Sequence, residues 1–203
     1  MTSETPTDPR NKLQDDPRNV GIMIDIETLS LEQNAYILSI GAARFNYNEF
    51  GDGGEHFYQN IYVQDKHQPY FHCDSKTLRW WLDQDEDARD RLSKPEPQEL
   101  THVLCRFSEW MQTVPHMHVW SRGMFDMRVL SYAYLVLELP FPIDLHLWRD
   151  QKTFSMLSDG AYASAAQRSR FTPHDALADA RYQLRVVQDV MHQQQAAGAA
   201  SDG

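Results

Sequence analysis

Cysteine is scarce in this chain: only Cys73 and Cys105 occur among 203 residues. They form no C-x-x-C pair and no zinc-ligand spacing, which excludes a disulfide framework and a zinc ribbon and points to a reducing compartment. Basic residues are also few. Lys and Arg total 19 against 29 Asp and Glu, for a net charge of −10. Phosphate affinity normally rests on Lys and Arg, so the chain is expected to be a poor general polyanion binder. If nucleic acid is the ligand, a local basic face or bound cations must supply the attraction. No apolar run approaches the ~20 residues that span a bilayer, and residues 1–19 lack the apolar core of a signal peptide. No membrane partner and a cytoplasmic location, bacterial or phage-encoded, are therefore expected.

What is present is enough for one folded domain. Hydrophobic residues make up 41 % and aromatic residues 11 %, with five Trp, so a sizeable core can form. Residues 1–19 and 193–203 are expected to be flexible tails around a domain at 20–192. Strands are predicted over 20–26, 35–46 and 56–63, with the turn-forming "NEFGDGGE" between the second and third. Short connections predict that these three pair antiparallel. Helices are predicted over 75–92, with Ser75 as N-cap, over 96–112, and over 126–138 before Pro140. "HMHVW" and "DLHLW" read as short strands, and 153–170 as partly helical. The last helix opens at "TPHDALADARYQL", with Thr172 as N-cap and Pro173 in the first turn. Strands first, then alternating helix and strand, imply an α/β fold: a mixed sheet with helices packed on it.

The stretch "IMIDIETL" sets the chemical problem. Side chains alternate along a strand, so Asp25 and Glu27 share a face with Met23, while Ile22, Ile24 and Ile26 face the other way. Two carboxylates in an apolar setting repel each other and lose hydration. Either one acid holds a proton or both ligate a cation, and oxygen ligands favour Mg²⁺ or Mn²⁺. An edge strand with this face in water would remove the problem. Asp126 follows a strand and Gly123 at the start of a helix, where it would cap the helix and where sites gather in α/β sheets. His174 and Asp179 fall in the first turns of the last helix, about 140° apart around its axis. His174 there is expected to be neutral, as a general base must be. His67, His72 and Cys73 lack a fourth ligand at fitting spacing, and Gly51 to Gly54 are turn glycines rather than a phosphate loop.

In this order, D-I-E-T, then F-D before a helix, then H-x4-D, the chain resembles the DEDDh 3′-to-5′ exonucleases over roughly residues 20–190. "DIETLSLEQNAYILSIGAARFN", "TLRWWLDQDEDAR" and "VWSRGMFDMRVLSYAYLVLELPFP" resemble the exonuclease VIII-like and mycobacterial-type exoribonuclease branch. "SRGMFD" departs from relatives that carry Asn near the Gly, and "RDQKTF" from a more regular Arg-Asp-x-x-Thr stretch; neither touches an expected ligand. The resemblance implies a ribonuclease H-like fold and two divalent cations, Mg²⁺ or Mn²⁺, held by Asp25, Glu27, Asp126 and Asp179. It implies His174 as general base, and a single-stranded RNA or DNA 3′ end cut to nucleoside 5′-monophosphates. Thr28 would meet the terminal nucleotide by polar contacts and Leu29 as an apolar wedge. Phe125 and one of Trp80 and Trp81, with Trp81 preferred, would stack on bases. Arg122, Arg128 and Arg149 could add local positive charge. A homodimer is left open. The competing readings are a non-catalytic nucleic-acid or protein-binding module on the same fold, and a metal-binding regulator of unrelated fold.

Overall fold

The computed structural model describes residues 19–63, 66, 70–91, 93–113, 117–156 and 174–201. The elements follow the chain as β1 (Val20–Thr28), β2 (Ile37–Asn46), β3 (His56–Asn60), α1 (Ser75–Leu82), α2 (Glu86–Arg91), α3 (Leu100–Gln112), β4 (His118–Ser121), α4 (Phe125–Val136), β5 (Trp148–Asp150), α5 (Gln151–Ser155) and α6 (Ala176–Ser201).

The five strands form one sheet in the order β3-β2-β1-β4-β5. The β1–β2 and β2–β3 pairs are antiparallel, and β1–β4 and β4–β5 are parallel. This is the expected mixed α/β sheet. β1 is its central strand, which rules out an edge strand with Asp25 and Glu27 in open water. Alternation along β1 divides the core. Ile22, Ile24 and Ile26 join Leu104, Phe107, Leu130 and Ala133 from α3 and α4 on one face. Met23 joins Ala43, Phe45 and Trp120 under Leu177, Ala180, Leu184 and Val187 of α6 on the other.

Gly41 lets α6 come close. A Cβ at Gly41 would lie 2.2 Å from backbone atoms of Ala176 and Leu177, so only glycine admits the helix at this point. Gly41 is also the β2 register partner of Asp25. The start of α6 is thereby pressed onto the sheet directly beside the first acid of β1.

Several boundaries differ from the sequence expectation. β1 extends to Thr28, so both acids lie inside the strand. The helix expected over 75–92 is two helices. Asp74, not Ser75, caps α1, its Oδ2 accepting from Thr77 N–H at 3.1 Å, and Asp85 Oδ1 accepts from Ala88 N–H at 2.8 Å to start α2. Carboxylates accept from N-terminal amides better than a helix interior tolerates them, so the acidic "DQDED" run breaks the helix instead of continuing it. "DLHLW" is mostly a 3₁₀ turn, Leu145–Leu147, capped by Asp144, with the strand beginning only at Trp148. Of 153–170, residues up to Ser155 are helical in α5, and 157–173 lie outside the described residues. α6 continues to Ser201, beyond the helix end expected at 194; its Gln- and Ala-rich end has high helix propensity. Thr172 and Pro173 also lie outside the described residues. Asp175 caps α6, with Oδ1 accepting from Ala178 N–H at 2.7 Å. His174, at φ 63°, precedes the helix instead of belonging to its first turn.

Candidate active site

Four carboxylates from three elements converge at the C-terminal end of β1. Asp25 and Glu27 come from the strand itself. Asp126 comes from the first turn of α4, but it is not the helix cap: Met124 occupies that position. The Asp126 carboxylate turns inward instead, and its Oδ1 accepts from the Ile26 backbone N–H at 3.2 Å. Asp179 comes from the first turn of α6, and its Oδ2 accepts from the His174 backbone N–H at 3.1 Å. His174 thus reaches the cluster through its backbone rather than along a helix face. Glu27, His174 and Asp179 each present a ligand atom, all within 4.8 Å of one another.

The electrostatics show what this crowding costs. Burial pushes Asp25 well above the usual carboxylate range, and the charges of Asp126, Glu27 and Asp179 add to the shift. Glu27 is pushed up to about 8, by burial first and then by Asp179, Asp126 and Asp175. Burial raises Asp126 to about 7, against its backbone hydrogen bonds. Asp179 is also raised by burial, with the His174 amide, the imidazole and the Arg122 guanidinium opposing. In the protein alone Glu27 and Asp126 are driven to hold protons near neutral pH. A set of hard oxygen donors with an adjacent imidazole fits divalent cations such as Mg²⁺ or Mn²⁺.

The substrate-side expectations divide. Thr28 is buried, and its hydroxyl donates to the Ser30 carbonyl at 2.8 Å. Leu29 is buried in the larger core cluster, and Phe125 is half-buried against it. Trp81 does not face the cleft. It is 3 % exposed, and its indole N–H donates to the Thr28 carbonyl at 3.0 Å. Its neighbour Trp80 is 40 % exposed and meets the His174 ring edge-on, with centroids 4.5 Å apart. Adjacent helical residues point about 100° apart, and the hydrogen bond to β1 fixes which of the two turns inward. Arg122 and Arg128 are exposed, while Arg149 donates to the His146 and Trp148 carbonyls. His72 is engaged with the Ser30 hydroxyl at 2.7 Å, and His67 and His116 lie outside the described residues.

Two contributors escaped the sequence reading. Gln183 Nε2 donates to Asp25 Oδ1 at 2.6 Å. The signal was a polar residue four positions after Asp179, hence on the same helix face, among the apolar Ala180, Leu184 and Val187. The second is Gly41, whose role depends on a helix 135 residues later in the chain.

No helix among the described residues is long and apolar enough to cross a membrane. No curated protein matches the sequence. Among 16 matching chains of solved structures is the crystal structure of cell-death related nuclease 4 (CRN-4), with a TM-score of 0.55 at 10 % identity. The match covers 87 % of this chain and 65 % of that one, so the chain spans just under two thirds of that nuclease's length. The likeness establishes a shared fold. Residues 20–191, from the first residue of β1 well into α6, match the 3′-5′ exoribonuclease Rv2179c-like domain, and the chain belongs to that family.

Proposed function

We propose that the chain is a metal-dependent 3′-to-5′ exonuclease of the DEDDh type, with 20–192 as its catalytic domain. It would hydrolyse the terminal phosphodiester of single-stranded RNA, or of a 3′ overhang, and release nucleoside 5′-monophosphates. The observation that carries this reading is the convergence of Asp25, Glu27, Asp126 and Asp179 beside His174, all four acids raised by burial. A protein has little reason to gather one buried and three half-buried acids at one point unless they hold cations. The family name favours RNA over DNA as the substrate.

The four carboxylates would hold two divalent ions, Mg²⁺ or Mn²⁺. Bound there, such ions supply positive charge to the scissile phosphate and acidify water. The chain's own groups do the rest. The His174 imidazole takes the proton of the attacking water, a contribution of about 10²–10⁴-fold. Its orientation is held by the edge-on Trp80 ring and by the backbone bond to Asp179. The exposed face of Trp80 offers a stacking surface to a base near the 3′ end. Thr28 and Leu29, at the end of β1, border the position of the terminal nucleotide. The net charge of −10 agrees with attraction carried by cations at the site rather than by a basic surface.

The test is incubation with 5′-labelled single-stranded RNA and DNA of equal sequence, with Mg²⁺, Mn²⁺ or EDTA, alongside His174→Ala. A ladder shortening from the 3′ end, lost with EDTA and in the variant, is the expected result. Cation binding by calorimetry without cleavage of either strand would favour a non-catalytic module. Absence of cation binding would overturn the reading.

A further inference from the structure

We propose that Gln183 is a positioning residue for the cation site: its amide fixes the carboxylate of Asp25 without neutralising it. The proposal rests on the metal-dependent reading above.

The geometry is specific. Gln183 lies in α6, four residues after Asp179, so its side chain leaves the helix on nearly the same face. Gly41 brings the start of that helix against β2 beside Asp25. Gln183 is 5 % exposed, and its Nε2 donates to Asp25 Oδ1 at 2.6 Å. Its own Oε1 is buried and has no hydrogen-bond partner among the described residues. A buried carbonyl left unsatisfied is unfavourable, so the amide is held in this pose by what its N–H group does. Among the described residues that group engages Asp25 alone.

A donor is needed here because Asp25 faces three like charges. Free to rotate, its carboxylate would turn away from Asp126, Glu27 and Asp179, and the ligand set would open. One N–H bond to Oδ1 fixes the plane of the carboxylate and leaves Oδ2 for a cation. The donor must also be neutral. A Lys or Arg at 183 would pair with Asp25 and compete with the cation for its charge. An amide orients the acid and keeps the site negative. α6 thus supplies one ligand, Asp179, and one turn later holds the ligand of another element. Groups that orient metal ligands from outside typically change metal affinity or activity by about 10–100-fold.

The test compares the full-length protein with Gln183→Met, of similar shape without the donor, and with Gln183→Asn, whose amide is one methylene short. Mn²⁺ affinity is read by calorimetry; kcat and KM are read on a single-stranded RNA oligonucleotide; folding is checked by circular dichroism. Both variants are expected to fold and to bind Mn²⁺ about 10-fold or more weakly. At fixed Mn²⁺ their kcat falls while KM for the oligonucleotide holds, and excess Mn²⁺ restores kcat. Wild-type Mn²⁺ affinity and kcat in the folded variants would overturn the proposal while leaving the nuclease reading intact. A kcat loss that excess Mn²⁺ does not recover would also overturn it. If the wild-type protein itself neither binds Mn²⁺ nor cleaves, the underlying reading fails first. Should Gln183→Met not fold, Gln183→Asn, which keeps a buried amide, decides alone.

Discussion

The backbone N–H of Ile26 donates to Oδ1 of Asp126 at 3.2 Å. Ile26 stands between Asp25 and Glu27, so the peptide that separates two acids of the cluster also secures the third. Its side chain packs into the core on the opposite face. One residue of β1 therefore ties the cluster to the core. Asp126→Asn keeps an acceptor for this N–H and removes one charge. It is expected to fold and to lose cleavage by about 100-fold or more, read from initial rates at saturating oligonucleotide.

Asp25→Asn is expected to separate folding from function. The Asn Oδ1 still accepts from Gln183, while the repulsion from three neighbouring acids is relieved. The raised Asp25 carboxyl shows that its charge is disfavoured in the fold, so the cation-free variant should be more stable than the wild type near neutral pH. Urea unfolding in EDTA measures this, and with Mn²⁺ added the same variant should show cleavage collapse. A variant that unfolds would instead assign Asp25 a structural role.

Stability without cations should fall as pH rises. Glu27, raised to about 8, and Asp126, raised to about 7, both favour the protonated form in the folded state. Their stabilising contribution is complete below the ordinary carboxylate pKa near 4 and is lost as pH climbs through 7 and 8. Asp150, lowered overall by the Thr153 hydroxyl and backbone amides that outweigh its burial, acts oppositely, and its contribution is lost only as pH falls below about 4. Melting temperatures in EDTA between pH 5 and 8.5 should therefore decline, and Mn²⁺ should abolish the decline by binding the ionised acids.

The two adjacent tryptophans should behave differently. Trp81→Phe removes the indole N–H and leaves the Thr28 carbonyl buried without this donor, at a cost of about 1–3 kcal/mol. Trp80→Ala, at an exposed position, should barely change the melting temperature. It should raise KM for an oligonucleotide by about 10-fold or more through lost stacking. Equal effects of both substitutions on stability would contradict the inward and outward assignments.

Gly41→Ala should be severe although glycine and alanine differ by one methyl group. The new Cβ would meet backbone of α6 at 2.2 Å, which no side-chain rotation relieves. A loss of about 3 kcal/mol or more is expected, together with lost cleavage, because displacing α6 displaces Asp179, His174 and Gln183 together. Denaturant unfolding and the cleavage assay check the two effects.

What the sequence determined by itself was local or ordered along the chain. Alternation in "IMIDIETL" placed the isoleucines on one face and Met23, Asp25 and Glu27 on the other, because strand geometry has a period of two wherever the strand lies. Short turns after β1 and β2 required antiparallel pairing. The order of the motifs, through its resemblance to the DEDDh exonucleases, implied four acids and a histidine as one set. Only the tertiary structure decided how they meet. Whether β1 was an edge or the centre depended on β4 returning beside it. Which tryptophan turned inward depended on an acceptor in β1, Thr28 O. His174 reaches the acids through a left-handed backbone and a hydrogen bond to Asp179, not along the helix that its sequence position implied. Gln183 and Gly41 acquire their roles only because α6 crosses β2 and β1. Sequence periodicity records which face of an element is apolar; it carries no information about which distant element that face will meet.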